Sequence, residues 1–108
     1  MEPTLRYAEM FAAIGAEPRL RIVRLLLEAH PKGLFVGEIQ NALEIPASTL
    51  SHHLDRLKHE ELVEAQREGT YLRYTANAES LKELLSFLFV ECCSGSGAVR
   101  REDILSCC

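Results

Sequence analysis

Apolar residues recur at helical spacing at Tyr7, Met10, Phe11 and Ile14 and stop at Gly15, which predicts a first amphipathic helix with Pro3 near its start. A second helix begins around Pro18, carries Leu20, Ile22, Val23, Leu25, Leu26 and Leu27, and ends before Pro31 and Gly33. Its dense apolar content makes it the expected centre of the fold. Val36, Ile39 and Leu43 predict a short third helix, Glu44-Ile45-Pro46 a tight turn, and Ser48 to about Glu60 a fourth helix with Leu50, Leu54 and Leu57 inward. Two short helices across a turn spell a helix-turn-helix. The period then changes from helical to alternating. Leu62 to Arg67 and Thr70 to Thr75 are strand-like and are joined by Glu68-Gly69, a two-residue hairpin signal, so a small β-wing follows. From Ala78 to Cys93 the pattern is helical again, with Leu81, Leu84, Leu85, Leu88 and Cys92 on one face and Phe87 and Phe89 at its sides. The expected fold is therefore mainly α with a β-hairpin, a winged helix-turn-helix over residues 1–93. Ser94-Gly95-Ser96-Gly97 breaks the last helix, and residues 94–108 are expected to form a flexible tail that carries cysteines.

At 108 residues the chain has room for one domain and none for a second catalytic one. A domain of this size buries only roughly 60 to 70% of its unfolded surface, so pairing of two chains is an expected source of further burial. The start MEPTLRYAEM lacks a basic stretch followed by an apolar core, and no apolar run approaches the roughly 18 residues of a membrane helix. The expectation is a cytoplasmic protein with no membrane partner. All four cysteines, Cys92, Cys93, Cys107 and Cys108, lie in the last seventeen positions, which is not how a disulfide-stapled secreted domain distributes them. A net charge of -4, from 12 Lys+Arg against 16 Asp+Glu, argues against nucleic-acid binding by bulk charge.

At 100° per residue, with its three leucines inward, the fourth helix turns Ser48, His52, Asp55, Arg56 and His59 outward and leaves His53 near the edge. Small hydroxylated residues at a helix start, with imidazoles one turn on, approach base edges and phosphates without bulky stems. Ser48, Thr49, Ser51, His52 and Arg56 are the candidate major-groove contacts to double-stranded operator DNA. A solvated face is the plain alternative; the short helix before and the wing after favour DNA. The wing offers Arg67, Thr70, Tyr71 and Arg73 around a glycine turn, the composition of a hairpin tip that grips phosphate or the minor groove. Over residues 46–75, Arg56, Lys58, Arg67 and Arg73 face Asp55, Glu60, Glu61, Glu64 and Glu68, so positive charge must be focused by placement and by pairing of two subunits.

The run STLSHHLDRLKHEELVEAQREGTYLRYT resembles the recognition helix and wing of the ArsR/SmtB metalloregulatory repressors, and the order of elements is similar over about residues 5–93. The resemblance implies a homodimeric winged-helix repressor, paired through its first and last helices, that leaves its operator when a metal or metalloid binds. It implies no enzyme activity and no required cofactor. Where the arsenic sensors carry a Leu-Cys-Val-Cys-Asp-Leu run, this chain reads Leu34-Phe35-Val36-Gly37-Glu38-Ile39, and neither Phe35 nor Gly37 can ligate. The zinc-sensing branch uses histidine on the last helix, yet no histidine follows His59.

What remains is Cys92-Cys93 and, after a thirteen-residue connector, Cys107-Cys108. Adjacent residues on an intact helix diverge by about 100°, so both sulfurs reach one ion only if the helix frays there, which the Ser-Gly run makes easy. Thiolates without histidine or carboxylate partners favour soft ions, and three sulfurs in a pyramid suit trivalent arsenic or antimony, As(III) or Sb(III), as inducer. Zinc prefers four ligands, often at Cys-x-x-Cys spacing, which is absent. Cys92 and Cys93 are the firmer ligands, with Cys107 or Cys108 as the third. Other uses of these thiols are a two-thiolate site for a trivalent organoarsenical, a reversible disulfide in a redox-sensing repressor or thiol-redox enzyme, and a plain reduced tail on an interaction module.

Overall fold

Among the described residues, five α-helices and three strands realise these periods in the order α1 (Pro3–Ile14), α2 (Glu17–Glu28), β1 (Leu34–Phe35), α3 (Val36–Leu43), α4 (Ala47–His59), β2 (Val63–Glu68), β3 (Tyr71–Ala76) and α5 (Ala78–Ser86), with a π-helical turn at Phe87–Glu91. The structure is a computed structural model and describes residues 3–91. The described residues fall into two compact units, divided between Ala78 and Glu79. The expected boundary between residues 93 and 94, and all four cysteines, lie outside the described residues.

In the first unit α2 packs against α1, α3, α4 and β3, the central place its apolar content predicts. Ile22, Val23 and Leu26 from α2 meet Ile39 from α3 and Leu50, Leu54 and Leu57 from α4 in a core that is almost without solvent access. Each such leucine or isoleucine contributes about 1.5–3 kcal/mol of transfer free energy. Leu62, Val63, Tyr74 and Ala76 continue the core onto the inner face of the sheet. On α1 the buried residues are Met10 and Ala13, while Leu5 and Phe11 remain 52% and 38% exposed.

The sheet has the order β1-β3-β2 and is antiparallel throughout. Strand β1 is an addition to the predicted hairpin. Two residues are too few to show an alternating pattern, and Leu34 and Phe35 become a strand only because they pair with Tyr74 and Arg73. Gly33 permits the approach: it has φ +80, and a Cβ there would run into the Tyr74 carbonyl and the Thr75 methyl. The hairpin turn also sits one residue later than predicted. Glu68 pairs with Tyr71, so the central residues are Gly69-Thr70, with the positive φ on Gly69 where a type II′ turn places its glycine.

Local chemistry sets the limits of the two helices around the turn. At the start of α3 the Phe35 N–H donates to the Glu38 carboxylate at 2.9 Å, the half of a capping box that a residue without a side-chain acceptor can make. Glu44 ends α3 in the left-handed region and donates its N–H to the Gln40 carbonyl, and Pro46 then caps the start of α4. At the far end of α4, Leu62 N–H bonds the Leu57 carbonyl and Glu61 N–H the Lys58 carbonyl, with Glu61 at φ 60: a Schellman motif without its usual glycine. Arg6 of α1 holds this corner by bonding the buried Glu60 carboxylate at 2.7 Å, the Glu60 carbonyl at 3.1 Å and the Glu61 carboxylate at 3.0 Å.

In the second unit the last helix departs from the single α-helix predicted to Cys93. It keeps α geometry only to Ser86 and continues as a π-helical turn. The run Phe87-Leu88-Phe89-Val90 places aromatic and β-branched residues, weak helix formers, where the α period gives way. Leu84 is buried there, and Leu85 and Leu88 are exposed.

Candidate nucleic-acid interface

Leu50, Leu54 and Leu57 anchor α4 by one side and so fix what the other side presents. Ser48, His52, Asp55, Arg56 and His59 are exposed and His53 is half-buried at the edge, as the 100° period places them, and Thr49 and Ser51 are exposed as well. His52, Asp55, Arg56 and His59 line a shallow depression along this face together with Arg19, which the sequence reading did not single out. Arg19 comes from the first turn of α2, and only the tertiary packing of α2 on α4 brings it here. Its polar position on an amphipathic helix was legible, but its neighbour was not.

Arg19 ties three helices. Its Nε donates to the Ala13 carbonyl, one of the orphan acceptors at the end of α1, and its Nη1 lies 3.3 Å from His53 Nδ1. A guanidinium only donates, so His53 must offer the Nδ1 lone pair and carry its proton on Nε2. Partial burial, then the Arg19 charge, then His52 hold the His53 pKa below its ordinary 6.5. The folded chain therefore binds fewer protons at His53 than the unfolded chain below that pH. The stability it supports is fully present above 6.5 and is lost as pH falls. Thermal melts between about pH 7.5 and 5 should show Tm falling in the native protein, with a shallower fall for His53→Gln, which keeps an acceptor but cannot titrate. Parallel profiles would assign the acid sensitivity to other groups.

The wing residues divide between the two faces of the sheet. Strand alternation puts Arg67, opposite Leu72, on the face that continues the core, and it is exposed only because the core ends before the tip. Tyr71 and Arg73 lie on the outer face, and Thr70 is in the turn itself. Tyr71 is 67% exposed with its ring centroid 5.8 Å from that of Phe35. The Arg73 guanidinium lies over the Phe35 ring at 4.2 Å and is gripped in bidentate fashion by Glu68, whose Oε1 is 3.2 Å from Nη2. That contact holds the Glu68 carboxyl below the usual carboxylate range and the Arg73 guanidinium above its own. Arg67 and Arg73 thus do not form one basic tip: Arg67 is free to meet solvent, and Arg73 already has a counterion.

Among the described residues no group of three or more His, Cys, Asp or Glu side chains is arranged to hold a metal. Cys92, Cys93, Cys107 and Cys108 belong to the segment outside those residues. Among the described residues no helix is long and apolar enough to cross a membrane.

A helix-turn-helix domain family matches residues 15–66, the stretch from the end of α1 into β2. The fold is also that of a solved homodimeric winged helix-turn-helix DNA-binding domain from Mycobacterium bovis, described as a possible ArsR-family regulator. It is 31% identical, with a TM-score of 0.65, over 80% of this chain and 77% of that one. An uncharacterised helix-turn-helix-type transcriptional regulator of Methanocaldococcus jannaschii is 36% identical over 88 residues, 82% of this chain and 97% of its own. The chain belongs to the ArsR-type family of winged helix-turn-helix transcriptional regulators. HlyU of Vibrio cholerae, described as a transcriptional activator, is a further relative, whose structure matches with 32% identity and a TM-score of 0.66 over 82% of this chain and 98% of that one. As a member of this ArsR-type family the protein is a DNA-binding transcriptional regulator.

Proposed function

We propose that this ArsR-type regulator is a homodimeric repressor that binds operator DNA through α4 and the wing and releases it when As(III) or Sb(III) is bound by C-terminal thiolates. The observation that carries the DNA part is the exposed Ser/Thr/His face of α4, held rigidly from behind by three buried leucines. Ser48, Thr49, Ser51, His52 and Arg56 meet the major groove, and Arg67, Thr70, Tyr71 and Arg73 meet the flanking backbone. Pairing is supported by Leu5 and Phe11, apolar yet exposed on α1, and by the homodimeric relative. Two recognition helices then read half-sites about one helical turn apart, which concentrates local positive charge that a net charge of -4 does not supply.

The inducer part rests on cysteine chemistry. Cys92 and Cys93 with one of Cys107 and Cys108 supply three soft thiolates and no hard donor. Drawing the tail back over the end of the last helix changes the packing of that helix, and the ligand lowers DNA affinity by its preference for the non-binding dimer. A coupling of about 1–3 kcal/mol is enough. The test is arsenite-dependent release of a DNA fragment from upstream of the protein's own gene. Cys92→Ser and Cys93→Ser should each bind DNA normally and fail to release it, whereas Cys107→Ser and Cys108→Ser singly substitute for one another. If the Cys107/Cys108 double variant still releases DNA at the native arsenite concentration, the three-sulfur site is wrong and a two-thiolate site for a substituted arsenical replaces it.

A further inference from the structure

The outer face of the wing holds a cationic group that is already occupied. Arg73 is sandwiched: Phe35 lies under its plane at 4.2 Å, the Lys32 carbonyl is 3.5 Å from Nη1, and the Glu68 carboxylate fills the Nε/Nη2 edge of the fork. A guanidinium fork takes a carboxylate and a backbone phosphate in the same bidentate geometry. Glu68 is therefore a stand-in for phosphate at the place where a wing would meet one. Its side chain is 47% exposed and immediately precedes the Gly69-Thr70 turn, so it can leave by a change of rotamer. Arg73, at 18%, is held by Phe35 and keeps its place whichever anion it faces. The Glu68 half of the pair faces solvent, so a phosphate can reach the fork from outside.

We propose that Glu68 is an affinity-limiting residue of the wing: it occupies Arg73 in the free protein, and a DNA backbone phosphate must displace it when the wing docks. The inference rests on the DNA-binding reading and adds to it a brake on non-specific association. A phosphate contact by a free arginine releases condensed counterions, but the Arg73–Glu68 pair brings no net charge to the DNA, so the carboxylate left beside the phosphate cancels most of that release. The native wing therefore gains little from Arg73 on arbitrary DNA. A site whose shape seats the wing fully can still draw the exchange.

The test needs no operator. A fluorescent duplex of arbitrary sequence, about 30 base pairs long, is titrated at several salt concentrations with the full-length native protein, Glu68→Gln, Arg73→Gln and the double variant, and log K is plotted against log salt. Glu68→Gln should bind roughly fivefold tighter at low salt, with a slope steeper by about 0.9, the value of one phosphate contact. Arg73→Gln should flatten the slope of the Glu68→Gln background by about 0.9 and that of the native background by much less. Equal effects of Arg73→Gln in both backgrounds overturn the exchange, because Arg73 then contacts phosphate, or fails to, independently of Glu68. A Glu68→Gln variant no tighter than the native protein overturns it as well. Should Arg73→Gln unfold, Arg73→Lys, which keeps the charge and loses the fork, takes its place and should retain less than half of the Glu68→Gln gain. Absence of duplex binding by every variant overturns the DNA-binding reading along with this inference, whereas additive slopes overturn the inference alone.

Discussion

Leu54→Ala is expected to lower stability by about 2–5 kcal/mol, the usual cost of a cavity left by a buried leucine. Leu54 is 1% exposed and lies midway along α4, between Leu50 and Leu57, where that helix packs on α1, α2 and β2. The surrounding side chains come from several elements that cannot all move inward, so the site has little means of collapse. For a domain of this size each kcal/mol shifts Tm by about 4–8 °C, so a fall of roughly 10 °C or more should appear in a thermal melt followed by circular dichroism. A melt within two or three degrees of the native one would mean that α4 is not seated by its leucine face, and its outward face would then be unassigned.

That face was legible because a helical period is an angular statement: once Leu50, Leu54 and Leu57 point inward, the directions of Ser48, His52, Asp55, Arg56 and His59 follow. The same helical period found α2, and the change to an alternating one found the hairpin. Elements that exist through a partner were not legible. Leu34-Phe35 is a strand only because β3 lies beside it, and Gly33 marks the place where two backbones approach, which no local pattern distinguishes from a plain turn. Composition likewise grouped Arg67 with Arg73, although strand alternation separates them, and it could not show that Glu68 occupies one of them. Arg19 was missed for the same physical reason, since its partner His53 is 34 residues away in sequence. The cysteine chemistry rests on residue type and spacing alone, because Cys92, Cys93, Cys107 and Cys108 lie beyond the described residues.

The second large effect concerns DNA and leaves the fold alone. Ser51 and His52 are exposed, and neither belongs to the buried core. Replacing either with alanine should therefore leave Tm near the native value, as surface substitutions usually do. If their hydroxyl and imidazole groups meet base edges, each replacement costs about 1–3 kcal/mol of specific binding. Binding to arbitrary DNA, which depends on phosphate contacts, should change far less. Leu54→Ala does the reverse, losing stability first and DNA binding only as the fold fails.

The decisive measurement is a competition titration in which the labelled fragment from upstream of the protein's own gene is displaced by arbitrary duplex, for the native protein, Ser51→Ala and His52→Ala at one salt concentration. The native protein should prefer its own fragment strongly, and each variant should lose roughly 5-fold to 150-fold of that preference, the equivalent of about 1–3 kcal/mol, with unchanged melting. Undiminished preference in both variants would contradict the assignment of the α4 face as the surface that reads DNA.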